Sequence, residues 1–328
     1  MEEYLDLVRT VLEEGAFKQN RTGVATISSF SCEYSIDLSD GFPLLTTKKL
    51  DGYRWDSLIY ELLWYLSGEE HIRNLRENTK IWDSWADEQG RLDTAYGRFW
   101  RRYPIPDTEM QLDGESWPKN SHRWVNDDGN TFDQIQYVLD TLQNNPNSRR
   151  IVINAWHPAN AAVSTLPPCH YTFVFNVQND ELNTHLTQRS GDIALGIPFN
   201  IAAYSILTKI IAKQTEFKLG TFSHSIVDAH IYCGTDKRAK WYGKNISTLQ
   251  ETLKNNGLMK TQEYVKTNPA SNTENYDHVP NLLKQLSREP FERPTLTIAD
   301  KSIEDLKFDD IQLHDYTSHD SLSFGVAE

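Results

Sequence analysis

Cysteine is scarce: the 328 residues hold three, Cys32, Cys169 and Cys233, far apart in the chain. Such spacing excludes a disulfide framework and fits a reducing, cytoplasmic setting. Long apolar runs are missing too, since nothing approaches the ~18 residues of a membrane span. The first residues fall directly into a helical pattern (Tyr4, Leu5, Val8, Val11, Leu12, stopped at Gly15), with no secretory signal ahead of it. Positive charge is in deficit: 33 Lys+Arg face 46 Asp+Glu, a net charge of −13. Phosphate neutralisation needs a basic face, so strong nucleic-acid binding is not expected. Those arginines that hold an anionic ligand must be placed locally. No Cys/His cluster has metal-ligand spacing, and there is no glycine-rich phosphate loop or dinucleotide fingerprint, so no metal is expected. Repeats and linkers are also absent, which leaves residues 1–328 as a single domain.

What the chain does have is concentrated between Leu166 and Asn200. Cys169 sits between Pro168 and His170, followed by a run that alternates as a strand does (Tyr171, Phe173, Phe175, Val177). Asn179-Asp180 marks a turn, and Leu182, Thr184 and Leu186 alternate again up to Gln188-Arg189-Ser190. A hairpin of that kind returns Arg189 to the side of Cys169. A free thiol, with a pKa of about 8.5, is a poor nucleophile at neutral pH, and a guanidinium beside it favours the thiolate. On spacing alone, a cysteine beside a strand is a buried small hydrophobe at least as often as a nucleophile.

Elsewhere the pattern mixes strands and helices without regular alternation, which predicts an α+β fold. Phe30, Cys32, Tyr34, Ile36 and Leu38 alternate with polar residues as in a half-buried strand. Trp55, Leu58, Ile59, Leu62, Leu63 and Leu66 recur at helical spacing and carry Glu61 on an apolar helix. Phe132, Ile135, Val138, Leu139 and Leu142 make another helix, ended by Asn144-Asn145-Pro146, and the strand Ile151–Ile153 follows. Ile201, Tyr204, Ile206, Leu207, Ile210 and Ile211 mark the most apolar helix, predicted to be central. A strand from Lys218 reaches His230 and Tyr232, and short strands follow near 295–298 and 311–313. Two polar stretches, 101–130 and 235–290, read as excursions.

Several separated strings resemble one known family. Pro168-Cys169-His170, Gln188-Arg189-Ser190-Gly191-Asp192 and Leu195-Gly196-Ile197-Pro198-Phe199-Asn200 match, in order and separation, the active-site core of the folate-dependent thymidylate synthase family. Asn20-Arg21-Thr22-Gly23, Glu61-Leu62-Leu63-Trp64, Ile81-Trp82-Asp83-Ser84-Trp85, Ala95-Tyr96-Gly97, Ser148-Arg149-Arg150 and Asp228-Ala229-His230-Ile231-Tyr232 resemble its other signatures. The length and acidity are similar to the branch found in salt-loving archaea, where carboxylate-rich surfaces maintain solubility.

This resemblance implies a single catalytic domain with a large mixed sheet packed across a homodimer interface and surrounded by helices. It implies the substrates deoxyuridylate (dUMP) and 5,10-methylenetetrahydrofolate, the latter as one-carbon donor and reductant. Cys169 would add to the uracil ring, with Arg189 favouring its thiolate, Glu61 shuttling protons, and Tyr96 and His170 organising water. Asn200 would read the base, since an amide can accept from N3–H and donate to O4; before a helix it would otherwise be an N-cap. Arg21, Arg149, Arg150, Gln188 and Ser190 would hold the nucleotide, the 149–150 pair entering from the partner subunit, with His230 and Tyr232 on the sugar. Folate would lie against Ile81, Trp82, Trp85, Leu195, Gly196 and Phe199, with Asp192 gripping its pterin. Ala327 belongs to a tail, Val326-Ala327-Glu328, that closes over it. The acidic Glu328 and the segment Leu50–Tyr53 depart from the family pattern. Two readings compete: a pyrimidine nucleotide hydroxymethylase of the same fold, and an inactive or RNA-binding paralogue. The amide at 200 favours uracil over cytosine, and the intact nucleophile and arginines oppose lost activity.

Overall fold

The computed structural model describes residues 1–20, 22–92, 95–105 and 124–327. The chain opens with α1 (Glu2–Glu14), which buries Tyr4, Leu7, Val8, Val11 and Leu12 on one face and ends at Gly15. The short β1 (Ala16–Lys18) leads to β2 (Thr26–Asp37) and then to α2 (Tyr53–Ser67) and α3 (Arg73–Arg76). Next come α4 (Tyr96–Arg101), the paired β3 (Tyr103–Pro104) and β4 (Thr131–Phe132), α5 (Gln134–Asn144), β5 (Val152–Asn154) and α6 (Pro158–Val163). The middle of the chain supplies β6 (His170–Gln178), β7 (Glu181–Gln188), β8 (Gly191–Asp192), α7 (Gly196–Thr215) and β9 (Lys218–Tyr232). It finishes with α8 (Asp236–Val265), α9 (Val279–Leu286), and the antiparallel pair β10 (Thr295–Ile298) and β11 (Ile311–His314).

Seven strands make one sheet in the order β1-β2-β9-β7-β6-β5, with β8 beside β9. β9 is parallel to β7 and β8 and antiparallel to β2, so the sheet is mixed and the α+β expectation holds. Period-two alternation gives its two faces different characters. One row across it reads Ile153, Phe173, Leu186, His224 and Tyr34, with the first four fully buried against the helices. The neighbouring row reads Val152, Val174, His185, Ser223 and Ser35, each exposed or half-buried. The apolar helix α7 buries residues all round, including Ile201, Tyr204, Leu207 and Ile211, as predicted for a central element.

One expectation needs correcting. Phe30 is 85% exposed and does not join the core row of β2. Ser31 takes a left-handed φ of 60°, and this kink takes Phe30 off the Cys32–Tyr34–Ile36 alternation. The stretch 235–290 is mostly helical, whatever its polar composition. α8 is bent at Gly257 (φ 79°, ψ 177°), a geometry that favours glycine. α9 buries Val279, Leu282, Leu283 and Leu286 in the main core. Of the stretch 101–130, residues 106–123 lie outside the described residues.

Candidate active site

The hairpin forms as its alternation predicts. Asn179 and Asp180 both take positive φ (54° and 62°), the turn geometry that matches strand twist. β6 pairs with β7 antiparallel, with a register shift between His170 and Thr172. That bulge puts His170, and not Tyr171, on the buried side. Arg189 is fixed by its neighbours: its N–H donates to Cys169 O at 2.9 Å, Nε to Pro168 O at 2.9 Å and Nη2 to Pro167 O at 2.6 Å. The guanidinium is thereby aimed at the thiol, with Nη2 3.5 Å from Cys169 Sγ. The Cys169 N–H donates to Tyr96 Oη at 2.7 Å, which ties the nucleophile to α4.

A relay behind the cavity fixes Asn200. Gln188 Nε2 donates to the Ser190 carbonyl (2.9 Å), and a carbonyl can only accept, so Gln188 Oε1 must face the other way. There it lies 3.0 Å from Asn200 Nδ2 and 3.0 Å from His224 Nε2, both of which must therefore donate. His224 Nδ1 then accepts from Tyr34 Oη at 2.7 Å. Burial drives the His224 pKa down to about 3, so the ring is neutral and one tautomer suffices. Asn200 is left with its Oδ1 and one N–H for a ligand. It lies inside α7, whose first residue is Gly196, so it is not the N-cap that the sequence suggests. Neither Tyr34 nor His224 stands out in the sequence, because one strand histidine looks like any other.

Across the cavity, α2 carries Glu61. Its Oε1 accepts from Trp82 Nε1 at 2.7 Å, and burial raises its pKa from 4.5 to about 7 against the opposing hydrogen bonds of Tyr65 and Trp82. His170 stacks on Tyr96 (3.7 Å between centroids, 4° between planes), and its Nδ1 pairs with Tyr204 Oη at 2.7 Å. Burial lowers its pKa to about 3, keeping it neutral.

These groups line one cavity of about 640 Å³, together with Ile81, Trp82, Trp85, Ser190, Asp192, Leu195, Gly196, Phe199, His230, Tyr232 and Ala327. Ser190 Oγ lies 3.4 Å from His230 Nδ1, and His230 and Tyr232 alternate on β9. Asp192 Oδ1 accepts from the N–H groups of Ala194 and Leu195 (2.8 and 3.2 Å). Trp82 packs edge-on against Trp85 and Tyr96. Lys18, Asn20 and Asp228 also line the cavity, and Lys18 pairs with Asp228. No chemical pattern in the sequence singles out Lys18. Arg149 and Arg150 are exposed on the segment before β5 and do not line the cavity of their own chain. Arg21 lies outside the described residues, as does Glu328. Among the described residues, no helix is long and apolar enough to cross a membrane.

An amide reader, an arginine-flanked thiol, a carboxyl group titrating near neutrality and an aromatic wall suit addition to a planar, hydrogen-bonding ring stacked on a second aromatic ligand. Comparison with known proteins agrees. Residues 2–328 match the thymidylate synthase family. A thymidylate synthase of Haloferax volcanii is 63% identical, across 98% of this chain and 96% of that protein.

Proposed function

The chain belongs to the thymidylate synthase family, and on that premise we propose how its residues divide the work. The enzyme reductively methylates dUMP to dTMP. 5,10-Methylenetetrahydrofolate supplies both the carbon and the hydride and leaves as dihydrofolate. Cys169 thiolate adds at C6 of the uracil ring, and the electron pair released to C5 attacks the methylene carbon. Glu61 moves protons at the ring, which suits a carboxyl group whose pKa lies near neutrality. Tyr96 and His170, the latter held neutral, order water beside it. Asn200 accepts from uracil N3–H through Oδ1 and donates to O4. Ser190 and Arg21, with Arg149 and Arg150 of a second copy, hold the phosphate, and His230 and Tyr232 hold the sugar. Gln188 orients Asn200. Folate stacks on Ile81, Trp82, Trp85, Leu195, Gly196 and Phe199, with its pterin on Asp192 and Ala327 closing above.

The observation that carries this reading is the 3.5 Å approach of Arg189 Nη2 to Cys169 Sγ on the wall of a cavity large enough for both substrates. A homodimer fits the same reading. Among the described residues, the sheet row bearing His185 and Ser223 is exposed or half-buried, and Phe30, Val152 and Val227 are exposed apolar residues of the sheet. With all three cysteines free, we place the enzyme in a reducing cytoplasm. The test is incubation with dUMP and methylenetetrahydrofolate, following dihydrofolate by absorbance and the nucleotide product by mass. Equimolar dihydrofolate and dTMP are expected. A hydroxymethyl product without dihydrofolate would make the enzyme a hydroxymethylase instead.

A further inference from the structure

His278 stands where three parts of the molecule meet. It follows Asp277, whose carboxylate is held by Arg238 Nε and Nη2 (3.0 and 2.5 Å) and by Tyr242 Oη (3.0 Å). All three side chains are buried, so this cluster clamps the two ends of the 235–277 stretch to each other at its base. Backbone bonds from His278 N to Tyr232 O (2.9 Å) and from Gly234 N to Tyr276 O (3.1 Å) complete the clamp.

Held in this way, the His278 ring is fully buried and faces two ways. Its Nε2 is 2.9 Å from the carbonyl of Gly325, which can only accept, so Nε2 carries a hydrogen. Gly325 N donates in turn to Asn275 O at 2.7 Å, and Asn281 Nδ2 donates to Ser323 O at 2.7 Å. The tail is thus zipped onto residues 275–281, with Phe324 packed edge-on against the His278 ring. On the other side His278 Nδ1 has no hydrogen-bond partner, and it points at Asp192 Oδ1 from 3.7 Å. Asp192 Oδ1 can only accept, as can the Gly325 carbonyl, so His278 supports both only with a hydrogen on each ring nitrogen; without one on Nδ1, two buried lone pairs would face each other at a cost.

We propose that His278 is a positioning residue that couples closure of the tail, through the Gly325 carbonyl, to the placement of Asp192 and so to folate binding. The proposal rests on the reading that Asp192 holds the pterin. It also gives the 235–277 stretch a task, because its base sets the imidazole between tail and carboxylate. When the tail lifts, the Nε2 partner is lost, the ring is free to turn, and Asp192 loses its support from behind.

The test separates folate from nucleotide. His278→Gln keeps a donor for Gly325 O but loses the second ring nitrogen. It should raise KM for methylenetetrahydrofolate about tenfold, a typical coupling between sites. The Kd for dUMP, measured by calorimetry without folate, should stay within about twofold, as for an independent site. Gly325→Ala reaches the same coupling without touching the core. An added Cβ would sit 2.9 Å from Asn275 O and from a Tyr276 ring carbon, pushing the tail off its dock. It should reproduce the folate effect, and the double variant should be no worse than the more damaged single one. Equal losses for both substrates, an unchanged folate KM in Gly325→Ala, or multiplying effects in the double variant would overturn the coupling. Asp192→Asn provides the separate control, with a raised folate KM expected. An unchanged folate KM there would remove the assignment of Asp192, and the proposal with it, whereas a raised one beside an inert His278→Gln would remove the coupling alone.

Discussion

The two walls of the cavity are built differently. On the nucleotide side each polar group is already committed: Arg189 to two carbonyls and a thiol, Asn200 to Gln188, and Gln188 to Ser190 and His224. On the folate side the surface is mainly aromatic, and it carries two carboxyl groups: Asp192, which accepts from the N–H groups of Ala194 and Leu195, and Glu61, which hangs on Trp82 and Tyr65. The first wall fixes direction, as recognition of one base and one reacting carbon requires. The second supplies area and a dry medium, and burial there lifts Glu61 to about 7. A polar wall is prepared in advance; an apolar one is completed by the ligand and the tail.

Substitutions should break the two walls in different ways. The largest effect is expected for Cys169→Ser, which should reduce turnover to background, because a neighbouring guanidinium cannot ionise a hydroxyl usefully at neutral pH. Calorimetry should still find dUMP bound, since other residues make the phosphate and base contacts.

Glu61→Gln comes next, with kcat expected to fall by on the order of 10²–10⁴. Its stability should move the other way. With the pKa raised from 4.5 to about 7, folded wild type retains a proton that the unfolded chain has released between those values. That stabilising proton uptake is lost as pH rises through 7, where the glutamine variant should be the more stable by up to roughly 3 kcal/mol. Denaturant titrations at pH 5 and pH 8 would reveal the widening gap.

Asn200→Asp probes the relay. A carboxylate would repel uracil O4 and accept from the amino group of cytosine. The ratio of kcat/KM for dUMP over dCMP should therefore drop by on the order of ten- to a thousandfold. An unchanged ratio would move base reading to another residue. Trp82→Phe should do least, since it keeps the apolar surface and removes one donor from Glu61. Several-fold slower turnover is expected, about the worth of one hydrogen bond to a charged group. The ionisation of Glu61 should move upward, readable as an alkaline shift of the pH–rate profile.

Much of this was legible in the sequence. The alternation from Tyr171 to Leu186 specified a hairpin, and the hairpin returned Arg189 to Cys169. The helical spacing around Glu61 foretold a desolvated carboxyl group. Other parts were hidden because they depend on partners distant in the chain. Tyr34 and His224 are 190 residues apart, and only the β2–β9 register makes them neighbours. Asn200 looked like a cap because it directly precedes the apolar helical run from Ile201, whereas α7 begins four residues before it, at Gly196. The polar 235–290 stretch concealed α8 and α9 because its apolar residues are sparse, so composition masked their spacing.

The central claim is that Arg189 activates Cys169, and differential alkylation tests it directly. Burial pushes the thiols of Cys32 and Cys233 upward, so neither should compete at neutral pH. The measurement is iodoacetamide labelling at pH 7, read peptide by peptide by mass spectrometry, in wild type and in Arg189→Gln. Cys169 should label first in wild type, and the substitution should slow it by about tenfold or more, the effect of losing an adjacent positive charge. A Cys169 that labels no faster than Cys32, or that does not respond to loss of the guanidinium, would contradict the account.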